Sequence, residues 1–135
     1  MSAQKAKDLG LQPIARLHTA ALGGADPVTM LTAPIPATQK ALEKSGLTVD
    51  QIGTFEVNEA FASVPAAWLA EIGADPSRLN PDGGAIALGH PLGGSGARIM
   101  TDLIHRMKRT GTQYGLQTMC EAGGQANATI LELIN

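Results

Sequence analysis

Three residues of this chain carry side chains that could take part in chemistry: Asn58 in NEAFA, His90 in GGAIALGHPLGGSGAR and Cys120 in TMCEAGG. Histidine donates, accepts or titrates near neutral pH, and a thiol ionises closer to neutrality than a hydroxyl. Each residue also has a plainer reading. Taken alone, Asn58 between a strand and a helix fits an N-cap better than a catalytic role. His90 sits among six glycines and suits loop stabilisation as well as chemistry. Cys120 alone reads as a small buried hydrophobe, although the glycine-rich backbone after it offers amide donors for an anion. The other histidines are weaker candidates: His18 falls inside a strand, and His105 shares a polar helix face with Arg98 and Asp102. The glycine-rich loop has neither the Gly-Lys-Ser/Thr ending nor the GxGxxG spacing of phosphate loops. No His/Cys/Asp cluster has metal-ligand spacing, so no metal is expected.

The elements that must position these residues follow from periodicity. Residues 14–22, 52–57, 79–88, 114–120 and 128–133 read as strands, the third interrupted by Pro81, Gly83 and Gly84. Residues 5–10 read as the tail of a helix capped by Gly10. Residues 26–36 form a loop with three prolines, after which Pro36 starts an amphipathic helix carrying Ala37, Ala41 and Leu42 and stopping at Gly46. Residues 59–72 read as a helix that Pro65 should kink or restart. Residues 97–109 make the clearest helix, with Met100, Leu103, Ile104 and Met107 as its apolar stripe and basic residues at its C-terminal end. The result is an α/β domain of βαβαβαββ order, a five-stranded mixed sheet with helices on both faces and an antiparallel last strand.

Composition narrows the function further. The 135 residues suffice for one domain with a real core, and aromatics at only 3% require that core to be built from Ala, Leu, Ile and Val. A net charge of -2 without a basic stripe argues against nucleic acid as a partner. No apolar stretch approaches a bilayer span and the first residues have no signal core, so no membrane association and a cytoplasmic location are expected. The single cysteine has no disulfide partner within the chain and fits a reducing compartment.

Taken in order, NEAFA (58–62), GGAIALGHPLGGSGAR (83–98) and TMCEAGG (118–124) resemble the signature set of the thiolases, and the similarity runs over nearly the whole chain, 1–135, as the family's C-terminal domain. The resemblance implies acyl transfer between an acyl-enzyme and coenzyme A thioesters, by Claisen condensation or by thiolytic cleavage of a 3-ketoacyl-CoA, in fatty-acid metabolism including β-oxidation. It implies that His90 activates a nucleophile and donates to an oxyanion, that Asn58 holds a water in the same oxyanion site, and that Cys120 is the second-step acid/base. Met30, Ala60 and Phe61 would line the acyl and pantetheine pocket. Ala122 stands where the family commonly has a glycine whose amide completes a second oxyanion site. Coenzyme A thioesters are then substrates, and no cofactor is expected.

With one cysteine in the chain, the nucleophile is expected in an N-terminal half outside these residues, leaving the chain inactive alone and the intact protein homo-oligomeric. The stripe at Met100, Leu103, Ile104 and Met107 would meet that half as well as its own sheet, so a lone chain should expose it and self-associate. A ketoacyl synthase shares a Gly-His-x-x-Gly loop but resembles a Cys-His-His arrangement with histidine at the place of Asn58, which disfavours it. A non-catalytic thiolase-like module that pairs with a partner subunit is the alternative from a different class.

Overall fold

The computed structural model describes residues 1–134. Helix α1 (Ala3–Asp8) is opened by Ser2, whose hydroxyl accepts the Lys5 amide. Strand β1 (Ala15–Gly24) follows, then helix α2 (Pro34–Ser45), with prolines in its first turn and Gly46 closing it in the left-handed region at φ 72°. Strand β2 (Thr54–Val57), helix α3 (Ser63–Ile72), the single turn α4 (Ala85–Leu88), helix α5 (Ser95–Thr110) and strands β3 (Tyr114–Glu121) and β4 (Gln125–Leu133) complete the order.

Among the described residues the sheet has four strands in the order β1-β4-β3-β2, with β2 parallel to β3 and β4 antiparallel to both of its neighbours. The antiparallel last strand matches the sequence reading, and the count of five does not. Residues 79–88 are not a strand: Leu79 makes a single parallel bridge to Phe55, and the chain then turns away. Asn80 takes a positive φ of 44° and uses its side chain in place of a ladder, Oδ1 accepting the Val57 amide at 2.8 Å and Nδ2 donating to the Val57 carbonyl at 2.9 Å. One amide side chain thus satisfies the backbone groups that a fifth strand would have paired. Pro81 has no amide to donate, and the alanine-rich stretch after it closes into α4 instead.

Two cores lie on opposite faces of the sheet. On one, α2 and α3 cover Phe55, Leu116, Ala128 and Ile130, with Trp68 edge-on to Phe55 at 5.1 Å and its indole donating to Thr38 Oγ1 at 2.9 Å. The small residues predicted from composition set the spacing there: a Cβ on Gly23 would lie 2.6 Å from the Ala37 backbone nitrogen. On the other face, Leu103 and Met107 of α5 pack on Leu131 and reach over Gly115. That contact corrects the expectation of an exposed helix stripe, because Leu103 and Met107 are fully buried on their own sheet while Met100 and Ile104 are only half-buried. The large apolar residues left exposed are elsewhere, among them Leu17, Leu22, Phe61, Ile86, Leu88 and Leu92.

Strand β1 forms one edge of the sheet. Lys40 and Lys44, one turn apart on α2, reach that edge and donate to the Leu22 carbonyl at 3.2 Å and the Ala20 carbonyl at 2.8 Å.

Helix α3 starts at Ser63, four residues later than the sequence pattern suggests, with Ala62 as its cap residue. Asn58 is therefore not an N-cap. It lies one residue past β2 and extends that strand's ladder by donating its amide to the Thr118 carbonyl at 3.0 Å. Pro65 neither kinks nor restarts the helix: it occupies the third helical position, where an N–H would lack an intrahelical acceptor anyway.

Candidate active site

The end of β3, the loop that follows α4 and the start of α5 line a cleft of about 520 Å³. His90 and Cys120 both line it, together with Met30, Ala60 and Ala122 from the sequence reading. Asn58 and Phe61 do not line it: Asn58 is 1% exposed, whereas Phe61 is 62% exposed. The structure thus gathers five of the seven residues on one cavity wall and separates the other two by burial and by exposure.

His90 follows α4 through Gly89, whose φ of 92° turns the chain in a way that a side chain would resist. Its Nδ1 lies 2.5 Å from Ser95 Oγ, and Ser95 Oγ donates to the Pro91 carbonyl at 3.1 Å. A hydroxyl has one proton. With that proton on the Pro91 side, Ser95 Oγ accepts from Nδ1–H, which leaves the Nε2 lone pair free to take a proton. Ser95 is buried, so this contact is shielded from water while the imidazole itself stays exposed.

Cys120 occupies the penultimate position of β3 opposite Ala126, and it is a buried free thiol. Burial pushes its pKa above the ordinary thiol value; its own backbone amide pulls the other way, and the neighbouring Glu121 adds to the rise. The side chain therefore stays protonated through neutral pH, as an S–H ready to donate.

Three alternate residues leading to this site are buried and polar: Thr54, Glu56 and Asn58. Thr54 Oγ1, Glu56 Oε1 and both side-chain polar atoms of Asn58 have no hydrogen-bond partner among the described residues. The Glu56 carboxyl is pushed up to about 8, first by burial and then by Asp102, Asp82 and Glu59, with Arg106 opposing. Glu56 is thus neutral at pH 7.

Sequence reasoning missed a second set of polar residues, those around α4. Glu59 Oε1 accepts from Asn80 Nδ2 and Oε2 from the Ile86 amide, both at 2.9 Å. Gly84 makes that approach possible, because a Cβ there would lie 2.4 Å from the Glu59 carboxyl carbon. Arg98 Nη1 donates to the Leu88 and Gly89 carbonyls at 2.8 and 2.7 Å. Asp82 ties the same loop to α5 through Arg106 and Arg109. The available signal was position: Glu59 adjoins Asn58, and Arg98 closes the glycine-rich motif. Among the described residues no group of three or more His, Cys, Asp and Glu side chains is arranged to hold a metal ion.

Comparison with known proteins gives the family. The family described as thiolase, C-terminal domain, matches residues 11–133. The chain belongs to the thiolase C-terminal domain family. It is 59% identical over 131 residues to a steroid 3-ketoacyl-CoA thiolase of Mycobacterium tuberculosis, which covers 97% of this chain and 32% of that protein. It is 48% identical to an acetyl-CoA acetyltransferase of Syntrophomonas wolfei, over 99% of this chain and 34% of that one. Among solved structures, Bacillus anthracis acetyl-CoA acetyltransferase superposes with a TM-score of 0.96 at 40% identity, over 99% of this chain and 34% of that one. Human mitochondrial 3-ketoacyl-CoA thiolase gives 0.95 at 41% identity, over 98% and 34%. This thiolase domain thus spans about a third of the length of the relatives it matches.

Proposed function

We propose that this thiolase domain supplies the acid/base side of a thiolase active site, acting on coenzyme A thioesters together with a preceding half that carries the nucleophilic cysteine. The observation that carries the reading is the meeting of His90 and Cys120 on one cleft, with Cys120 held as a protonated thiol. In cleavage, the nucleophile takes the acyl group as the C2–C3 bond of a 3-ketoacyl-CoA breaks, and the departing enolate of acetyl-CoA takes the proton of Cys120 Sγ. In condensation Cys120 gives its proton to the coenzyme A thiolate that leaves as the acyl-enzyme forms. The Cys120 thiolate then removes a C2 proton from a second acetyl-CoA, and the resulting carbanion attacks the acyl-enzyme and releases the nucleophile as its thiolate. His90, with Nε2 free, serves the nucleophile as base and the thioester oxygen as donor once protonated. Asn58 contributes an oxyanion partner through a bound water, which its unpaired buried amide is suited to hold.

Met30 and Ala60 form the part of the acyl and pantetheine pocket that this domain contributes, and Ala122 offers its backbone amide to a second oxyanion site on the same cleft. Phe61, exposed here, reaches that pocket only if the preceding half folds over it. The names of the relatives support a role in acyl-CoA turnover, the thiolase resemblance implies a homo-oligomer for the intact protein, and the lone cysteine fits a reducing, cytoplasmic compartment. The 59% identity to a steroid 3-ketoacyl-CoA thiolase, against 48% to the acetyl-CoA acetyltransferase, favours bulky over two-carbon acyl groups.

The test is reconstitution. The domain alone, and the domain joined to the preceding half, are assayed for coenzyme A-dependent cleavage of 3-ketoacyl-CoA thioesters with acetyl and steroid-derived acyl groups. Turnover only by the joined protein, lost in Cys120→Ala and His90→Ala, is the expected result. Cleavage by the domain alone, or full activity in Cys120→Ala, would overturn the assignment.

A further inference from the structure

Helix α4 is a single turn, far below the length at which a helix persists on its own. Its apolar residues do little to dock it: Ile86 is 66% exposed and Leu88 is 49% exposed. Its cap residue, Gly84, has no side chain to satisfy the first amides. Yet Gly89 and His90 leave directly from its end, so whatever fixes α4 fixes the imidazole.

Two long side chains do so from opposite ends. At the N-terminal end the Glu59 carboxylate accepts the Ile86 amide, a cap delivered from 27 residues away, while its other oxygen is held by Asn80. At the C-terminal end the Arg98 guanidinium donates to the Leu88 and Gly89 carbonyls, which the short helix leaves unpaired. Negative charge at the N-terminus and positive charge at the C-terminus match the helix dipole. The two clamps are themselves anchored on rigid elements: Glu59 follows β2, and Arg98 lies in the first turn of α5.

We infer that Glu59 and Arg98 are positioning residues, which hold His90 against Ser95 by clamping the two ends of α4. The inference rests on the thiolase reading for its catalytic consequence, but the clamp itself is a property of this chain. Removing either side chain frees α4 without unfolding the sheet, and the His90–Ser95 contact is lost with it.

The experiment uses the full 135-residue chain and then the protein joined to its preceding half. In the chain, long-range proton–nitrogen correlation at pH 8 reads the His90 ring, assigned with His90→Gln, and hydrogen exchange reads the Ala87, Leu88 and Gly89 amides that bond within α4. The native chain should show two well-separated ring-nitrogen shifts, those of one tautomer. In Glu59→Ala and Arg98→Ala the shifts should converge to an exchange average, and the three amides should exchange about 10- to 100-fold faster, as the loss of a charge-assisted bond predicts. Amides of β3 and β4 should be unchanged. Glu59→Gln, which keeps an acceptor oxygen, and Arg98→Lys, which keeps a donor and the charge, should restore part of the order.

An unchanged His90 spectrum in both alanine variants, whatever their melting temperatures, would overturn the clamp. So would exchange that rises equally throughout the sheet. In the joined protein, kcat should fall at least tenfold in the alanine variants with KM moved much less. Native turnover that survives both substitutions refutes the clamp's catalytic role. A joined native protein without turnover refutes the thiolase reading instead, while the spectra still decide the clamp.

Discussion

Glu56→Gln isolates the cost of burying one carboxyl, since the amide has nearly the same shape and cannot ionise. Glu56 is 1% exposed, and its pKa rises from 4.5 to about 8 on folding. Between those values the folded chain keeps the proton and the unfolded chain releases it, so stability is full below pH 4.5 and falls as pH rises, flattening above about 8. At ~1.4 kcal/mol per unit the window is worth on the order of 5 kcal/mol, a large fraction of the roughly 5–15 kcal/mol that holds a domain together. Glutamine removes that slope. Urea unfolding followed by far-ultraviolet circular dichroism from pH 4.5 to 8.5 should give curves for native chain and variant that coincide at the acid end, with the variant several kcal/mol more stable at the alkaline end. The neighbours supply a second check. Asp102→Asn should narrow the gap by lowering the Glu56 pKa, and Arg106→Gln should widen it by removing the one opposing charge. A gap that stays constant with pH would show that Glu56 ionises normally, and the account of a neutral buried acid would fail.

Cys120 should alkylate with iodoacetamide along a pH profile whose midpoint lies above the ~8.5 of a free thiol, because burial disfavours the thiolate; a midpoint at or below that value contradicts the upward shift. Thr38→Val should lower stability by about 1–3 kcal/mol in thermal unfolding, because it strips the acceptor from the fully buried Trp68 indole. Gly23→Ala should cost more than Gly115→Ala by the same measurement. The first sets a methyl 2.6 Å from the Ala37 backbone nitrogen, whereas the second meets side-chain ends of Met107 and Leu103 at 2.7 and 2.9 Å that can rotate aside. Equal losses would mean that α2 yields as readily as a side chain.

The parts of the fold that were legible in the sequence are those encoded by local period or by punctuation. The α5 stripe with a basic last turn, the proline start and glycine stop of α2, and the strand bearing Cys120 all lie within a few residues of where the pattern puts them. The stretch 79–88 misled because Leu79, Ile86 and Leu88 supply strand-like apolarity, while the decisive fact is tertiary: the Asn80 side chain occupies the edge of β2. Asn58 misled for a similar reason, since four residues of turn separate it from the helix it was expected to cap. The positions of His90 and Cys120 were readable from their motifs. The clamps on α4 were not, because Glu59 and Ile86 are 27 residues apart and nothing in either residue's surroundings points to the other.

The lysines at the β1 edge have a consequence for how the chain meets other copies of itself. An open strand edge invites another strand to add, and repeated addition is the route to fibrils. With a net charge of only -2, general repulsion between copies is weak, so protection must be local. Lys40 and Lys44 place two ammonium groups on the outward carbonyls of Leu22 and Ala20, and an incoming strand would have to displace and desolvate both. At the opposite edge the Asn80 amide already occupies the hydrogen-bonding groups of Val57. Side chains thus occupy hydrogen-bonding groups on both edges of the sheet, so a strand added at either edge would first have to displace them.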